Sequence, residues 1–191
     1  MNLFATTLSK LPAADTHPDT VVYLSDVAAG GSFWKSDGVD WFPVGGVCVL
    51  YSGGPSGVIT DPGEVTFSTV GIPPLTGLAG TIRVTPLFKY SNSAVAKTFR
   101  VRIGGTVVCT VAVSTTSSVQ FISLTRAQGA INSQISQASS GSALLGAVNS
   151  SPVATTIDLS VAQNLTITGE IASGTSDNIQ LLGWVVELLK A

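Results

Sequence analysis

Few residues in this sequence have the types and spacing needed for catalysis. The one histidine, His17, lies in the proline-containing segment LPAADTHPDT, a poor support for a base that must be held within about 3 Å of a nucleophile. The sequence contains no G-x-S-x-G elbow, no phosphate-binding glycine loop and no Cys/His pattern with transition-metal spacing. Asp37 and Asp40 are close in sequence, but a turn explains them better than a calcium site. We therefore predict no metal, no cofactor and no enzymatic activity.

A glycosidase would require two carboxylates that face each other across a sugar. The C-terminal half offers Asp158, Glu170, Asp177 and Glu187, of which Asp158 and Glu170 could meet across strands. Four carboxylates in a large domain are expected at its rim. A polysaccharide-degrading enzyme is therefore a remote alternative.

The stretch GSFWKSDGVDWFPVGG concentrates aromatic residues around a turn. Asp37-Gly38 predicts a two-residue type I′ hairpin turn, in which both central residues have φ > 0. Trp34 and Trp41 could stack on a sugar, or they could pair across the hairpin as its small core. Since so small a ribbon is barely stable alone, we favour a hairpin that packs on its neighbours or on a partner. The predicted partner-binding residues are Phe33, Trp34, Asp37, Gly38, Trp41, Phe42 and Pro43.

Composition indicates an all-β protein. The chain has 191 residues, enough for one good-sized domain; only 10% are charged, and serine and threonine together number 44. Such a composition favours short strands over long surface helices. Low charge and a mean hydropathy of +0.45 predict that copies of the chain or a partner cover part of its surface. The net charge of −2 argues against nucleic-acid binding. We find no apolar run that would span a membrane and no signal-peptide pattern at MNLFATTLSK.

Periodicity and turn residues divide the chain into four parts. Residues 1–20 predict an extended arm, 21–51 a small β-hairpin attachment module, 52–63 a Gly/Pro linker, and 64–191 a β-sandwich of jelly-roll type. The clearest hairpin is KTFRVRI-GG-TVVCTVAV, with Gly104-Gly105 as its turn. Residues 127–151 fit either a short helix or a loop with a strand. Cys48 and Cys109 lie in apolar β-type runs, which predicts buried thiols and leaves a bridge open.

Charge is segregated along the sequence. Residues 1–64 contain seven acidic residues, whereas Val65 to Ile157 contain none and carry six basic ones. This pattern predicts an electrostatic contact face suited to another copy or to an acidic partner. Its candidate residues are Arg83, Lys89, Lys97, Arg100 and Arg102.

Two segments resemble proteins of tailed-bacteriophage virions. DVAAGGSFWKSDGVDWFPVGG is similar to the pattern G-s-l-W-r-S-n-G-t-x-W-x-P-v-n-G found near the start of many such proteins. LFKYSNSAVAKTFRVRIGGTVV is similar to W-x-Y-t-N-S-a-n-x-K-x-l-r-v-r-l-g-G-t, with Phe88 in place of the first tryptophan. The two segments cover roughly a quarter of the chain. Residues that match the second pattern are Tyr90, Asn92, Ser93, Lys97, Arg100, Arg102, Gly104 and Gly105.

The resemblance implies a virion structural protein, variously a capsid decoration (cement) protein, a head fibre or a tail fibre. In these families an N-terminal arm or small β module attaches to the virion, and a jelly-roll domain projects from it, often as a trimer. The resemblance does not choose between head and tail, but a tail fibre usually adds a long shaft to a domain of this length. We therefore expect a decoration protein on the capsid surface, with the major capsid protein and copies of itself as partners. The alternative is a short tail or fibre protein that recognises a host surface glycan.

Overall fold

The structure, a computed structural model, describes residues 3–7, 10–26, 31–39, 41–75, 80–136, 151–173 and 176–190. Within these ranges the protein is all-β, as predicted, with no α-helix and one 3₁₀ turn at Ala14–Thr16. The strands are β1 (Leu3–Thr6), β2 (Val21–Leu24), β3 (Ser32–Ser36), β4 (Trp41–Pro43), β5 (Val47–Gly53), β6 (Gly63–Ile72), β7 (Gly80–Tyr90), β8 (Lys97–Ile103), β9 (Thr106–Val113), β10 (Ser118–Gln120), β11 (Ser123–Ala130), β12 (Ser133–Ser136), β13 (Val153–Thr155), β14 (Gln163–Ile171) and β15 (Ile179–Lys190).

Two antiparallel sheets form a β-sandwich. The first has the order β13-β12-β11-β7-β15-β5, with β10 also paired to β7, and the second has the order β6-β14-β8-β9. Phe88 of β7 and Phe99 of β8 stack between the sheets, with ring centroids 4.1 Å apart. Buried and partly exposed residues alternate along β7 and β8, because one side of each strand faces this core. The sandwich thus carries one apolar interior between two outward faces.

The β8–β9 hairpin confirms the clearest local prediction. Ile103 pairs with Thr106, so Gly104 and Gly105 form a two-residue loop, and their φ values are 57° and 79°. Both angles lie in the region that a type I′ turn requires and that glycine adopts without strain. Phe99, Val101 and Ile103 are fully buried, as the alternating pattern predicts.

A third sheet, with the order β1-β2-β3-β4, lies at the N-terminus. Residues 1–20 are predicted as an extended arm, but residues 3–6 pair with β2 in parallel and residues 11–14 cover the inner side of the hairpin. Leu11 packs against the core, and Ala14 is buried in it. The arm is therefore an integral part of the small sheet.

The predicted boundary between module and linker does not coincide with the sheets. β5 was assigned to the small module, yet it pairs with β15 at the edge of the sandwich. The segment that follows is also held by β15, since Ile59 forms a β-bridge with Ile179 and the Ser56 N–H donates to the Leu181 carbonyl. In the ambiguous segment, residues 127–136 form strand and turn, and residues 137–150 lie outside the described ranges.

Candidate docking face

The two tryptophans of the hairpin face inward. Trp34 is 0% exposed and Trp41 is 2% exposed, and Pro43 is buried beside them. Their indole N–H groups are satisfied within the chain, because Trp34 Nε1 donates to Ser32 Oγ at 2.6 Å and Trp41 Nε1 donates to the Pro12 carbonyl at 2.8 Å. Buried rings cannot stack on a sugar, so the sugar-stacking interpretation of these tryptophans is wrong. Their assignment, with Pro43, as direct partner contacts is wrong for the same reason.

The predicted pairing of the two indoles across the hairpin is also corrected. Register places Trp34 opposite Pro43 and Trp41 opposite Ser36, so the tryptophans share the inner face but occupy different rows. The Ser36 hydroxyl donates to the Ala14 carbonyl at 2.9 Å. Both tryptophans therefore belong to the buried hydrophobic cluster of the protein, and the N-terminal segment contacts Trp41.

The turn of the hairpin is longer than predicted. Since Ser36 pairs with Trp41, four residues connect β3 and β4. Gly38 has φ 89°, but Asp37 does not have a positive φ, so the type I′ prediction is wrong. Asp37 Oδ1 instead accepts a hydrogen bond from the Val39 N–H at 3.0 Å, an Asx-type turn. Asp40, predicted as its neighbour in the turn, lies outside the described residues.

The opposite side of the small sheet carries exposed apolar side chains. Strand register aligns Tyr23 with Phe33, and the Val44 N–H donates to the Phe33 carbonyl, which places all three in one row across β2, β3 and the end of β4. Phe33 is 49% exposed and Val44 is 54% exposed. Tyr23 and Phe33 contact each other with ring centroids 5.2 Å apart. We call this row the outer row.

A second row lies beside it on the same side of the sheet. Val21 pairs with Lys35, and Lys35 pairs with Phe42. The Lys35 ammonium lies 3.1 Å from Asp19 Oδ1, so the charge of this row is balanced locally. Of the seven predicted partner-binding residues, the structure therefore brings Phe33 and Phe42 onto one exposed face, which we call the outer face of the small sheet.

The predicted basic face does not form as one surface. Arg83 and Lys89 alternate with the inward residues of β7, whereas Arg100 and Arg102 alternate with those of β8. Because these strands belong to the two opposed sheets, the two pairs point away from the sandwich on opposite sides. Arg126, the sixth basic residue, is exposed on β11.

Most of these cations are already paired with acids from distant parts of the chain. Arg83 forms a bidentate salt bridge with Glu187, in which Nε donates to Oε2 at 2.6 Å and Nη2 donates to Oε1 at 2.8 Å. These hydrogen bonds raise the pKa of the guanidinium. Lys97 is fully buried, so its assignment to a contact face is wrong. Its Nζ lies 3.4 Å from Asp177 Oδ2. Lys89 is exposed and remains available for the predicted contact.

On the outside of the second sheet, two arginines and two glutamates form one network. Arg100 Nη1 lies 3.2 Å from Glu64 Oε2 and 2.7 Å from Glu170 Oε2. Arg102 Nη2 donates to both carboxylate oxygens of Glu64 at 2.9 Å. Burial alone would raise the pKa of Glu64, but hydrogen bonds from Thr168 and Arg102, with the charges of both arginines, lower it overall. This face is salt-bridged and near neutral.

The carboxylates considered for glycoside hydrolysis do not meet. The Asp158 carbonyl contacts Gln163 at the start of β14, whereas Glu170 lies near the end of that strand. Glu170 follows Gln163 by seven positions along the strand, or roughly 23 Å at about 3.3 Å per residue. Hydrogen bonds from the Ser160 hydroxyl and N–H lower the pKa of Asp158. An enzyme built on this pair is therefore contradicted by the fold.

Both cysteines are buried free thiols, which resolves the question that the sequence left open. Cys48 lies on β5 and Cys109 on β9, in different sheets. Burial raises the pKa of the Cys48 thiol more than its hydrogen bond to Ser32 lowers it.

Comparison with known proteins leaves the family open. No protein-family model, no curated protein and no solved structure matches this chain. The described residues contain no helix long and apolar enough to cross a membrane. They also contain no group of three or more His, Cys, Asp or Glu side chains arranged to hold a metal ion.

Proposed function

We propose that this protein is a structural component of a tailed-bacteriophage virion, and specifically a capsid decoration protein. The observation that carries the proposal is the exposed outer face of the small sheet. Phe33 and Val44 are about half exposed in a row that is apolar across three strands. Exposed apolar patches of this kind mark protein interaction sites. The face lies in the segment that resembles the attachment region of virion proteins.

The order of the sandwich strands supports the same proposal. Leaving aside β10, β12 and β13, one sheet has the order β5-β15-β7-β11 and the other β6-β14-β8-β9. Eight antiparallel strands in this order interleave as two Greek keys, the arrangement of a jelly roll, with β12 and β13 added at an edge. We infer that the sandwich is a jelly roll. This fold is used in viral capsid proteins, although a fold alone does not assign a function.

The charge distribution fits a protein that works through apolar contact. Arg100 and Arg102 are engaged with acids of the same chain, so little unbalanced charge is left on the outward face of the second sheet. The proposed partner of the outer face is the major capsid protein. We further propose that the jelly rolls associate as homotrimers on the capsid surface.

A binding assay with matched substitutions tests the docking surface. Purified protein is mixed with mature, expanded capsids that lack it, and bound protein is measured after sedimentation. We expect saturation at a stoichiometry fixed by the capsid lattice. A Phe33→Asp or Val44→Asp substitution should weaken binding by at least tenfold, because it places a charge in a contact that excludes water.

Val161→Asp provides the matched control for Val44→Asp. Val161 is 51% exposed, close to the 54% of Val44, but it lies in the loop before β14 of the sandwich. Its substitution should leave capsid binding unchanged. Equal loss of binding in both variants, or no loss in either, would refute docking through the small sheet. Circular dichroism confirms that each variant is folded.

A receptor-binding tail protein is the second candidate, favoured by the use of jelly rolls in lectin domains. It differs from the leading proposal in where binding occurs. A glycan array probed with the wild-type protein distinguishes the two, because a decoration protein should show no saturable glycan binding. Binding to one glycan class, with no binding to capsids, would replace the leading proposal with this one.

A further inference from the structure

The structure places a lysine, a serine and an aspartate in contact inside the sandwich. Lys97 begins β8 and is fully buried, and the Asp177 side chain, just before β15, is 7% exposed. Lys97 Nζ donates to Ser93 Oγ at 2.6 Å, and Ser93 Oγ donates to Asp177 Oδ2 at 2.7 Å. Nζ and Oδ2 are themselves only 3.4 Å apart. An amine and a carboxylate are thus held together at a water-poor site, with a hydroxyl hydrogen-bonded to both.

The surroundings disfavour a permanent pair of charges here. Lys97 has Ile171 and Val113 as its neighbours on β14 and β9, and the inward residue that follows it on β8 is the buried Phe99. Removal of two ions from water carries a desolvation penalty, which the attraction between them repays only where the geometry is excellent and further hydrogen bonds are made. A covalent bond between the two groups would remove both charges, whereas an ion pair keeps them.

We propose that Lys97 and Asp177 condense to an intramolecular isopeptide bond. Ser93 relays a proton, since it accepts from Nζ and donates to Oδ2, so that the amine and the acid both become neutral. Nζ then attacks Cγ of Asp177, and a C–N bond forms while the bond from Cγ to Oδ2 breaks. Oδ2 leaves as water with two protons that began on the ammonium group. The step involves no oxidant, no cofactor and no net change in charge.

The cross-link would join two parts of the sandwich that are distant in sequence. It would connect β8 of one sheet to the residues that lead into β15 of the other sheet. A covalent bond between residues 97 and 177 closes a loop of the chain and limits the conformational freedom of the unfolded state, as a disulfide does. Unlike a disulfide, an amide is insensitive to reduction. Such a bond suits a protein that must resist unfolding.

Intact-mass spectrometry of the wild-type protein tests the proposal. We expect a mass lower than that of the linear sequence by one water molecule. After trypsin digestion, tandem spectra should show a branched peptide that joins Lys97 to Asp177, with no cleavage after Lys97. A wild-type mass equal to that of the linear chain overturns the proposal, because it shows that the groups remain an ion pair.

Three variants separate this reaction from other losses of water. Lys97→Met and Ser93→Ala should both have the full linear mass, the first because the nucleophile is absent and the second because the relay is absent. Lys89→Met removes an exposed lysine and should still lose one water. Loss of water that persists in Lys97→Met would place the reaction elsewhere, for example at Asp37-Gly38 as a succinimide, and would also overturn the proposal. Since the wild-type mass is decisive, the test does not depend on folding of the variants.

Discussion

The indole Nε1 of Trp41 donates a 2.8 Å hydrogen bond to the main-chain carbonyl of Pro12. This contact joins the hairpin to a segment 29 residues earlier in the chain. It explains why the N-terminal segment is ordered against the small sheet although it contains no apolar periodicity. The aromatic residues of the hairpin are consequently divided into a closed inner side and an exposed outer side.

Deletion of residues 1–14 should expose this inner side while the sandwich stays folded. The deletion removes β1, the Pro12 carbonyl that accepts from the Trp41 indole, and the buried Ala14. We expect tryptophan fluorescence to shift to longer wavelength in the absence of denaturant, because the Trp41 indole contacts water. The far-ultraviolet circular dichroism of the sandwich should persist. An unshifted spectrum would contradict the covering role of the segment.

A substitution at Gly169 tests the packing of the aromatic rings on the inner side of the second sheet. A Cβ added at this position of β14 would lie 2.7 Å from Phe67 Cε2 and 3.3 Å from Phe99 Cδ1, so the rings would have to move. We expect Gly169→Ala to lower the free energy of unfolding by about 1–3 kcal/mol in urea titrations. Gly71→Ala is the control, because Gly71 lies on the paired strand β6 with open space around its Cα. Equal effects of the two substitutions would argue against close packing at Gly169.

The loss of stability at acid pH should depend in part on protonation of Glu64. Its pKa in the folded protein is depressed, so its carboxylate stabilises the fold at pH values above its ordinary pKa near 4.5. That contribution is lost as pH falls below 4.5 and through the lower folded value. We expect Glu64→Gln to reduce the urea midpoint at pH 7 and to have a progressively smaller effect as the pH falls below 4.5 and through the lowered pKa of Glu64 in the folded protein.

Asp61→Asn is the control for this titration, because Asp61 is an exposed acid just before β6, the strand that contains Glu64. It should retain the wild-type dependence of the urea midpoint on pH. Thr168→Val removes one hydrogen bond to Glu64 and should move the acid transition to higher pH. A Glu64→Gln variant whose destabilisation stays constant as the pH falls from 7 through the acid transition of the wild-type protein would show that the ionised carboxylate is not responsible.

The features predicted correctly are those that neighbouring residues determine. The turn at Gly104-Gly105 depends mainly on the conformational freedom of its two glycines, and it forms as predicted. The alternation of Phe99, Val101 and Ile103 likewise fixes the inward side of β8. Lys97 has the same parity as these residues, so the sequence already contained the signal that it faces the core. Because basic side chains are usually exposed, residue type alone predicts Lys97 at the surface.

The features predicted incorrectly depend on residues distant in sequence. Arg83 was assigned to a basic face, but its partner Glu187 follows it by 104 positions and becomes its neighbour only when β7 and β15 pair. β5 and β15 pair although they are far apart in sequence, and no local pattern indicates this pairing. For this reason the predicted boundary after residue 51 does not match the sheets. At the hairpin, the Pro12 carbonyl, 29 residues earlier in the chain, accepts from the inward-facing indole of Trp41, a contact that composition does not reveal.

The most direct test of the proposed function is the location of this protein in assembled particles. If the chain is a virion protein as proposed, it is found in particles of a tailed bacteriophage, which are imaged by electron cryomicroscopy with wild-type and Phe33→Asp proteins compared. The proposal predicts density for the β-sandwich at repeated lattice positions on the capsid surface, with the small sheet against the major capsid protein, and loss of that density in the variant. Density confined to the tail, or capsid density unaffected by Phe33→Asp, would contradict the account.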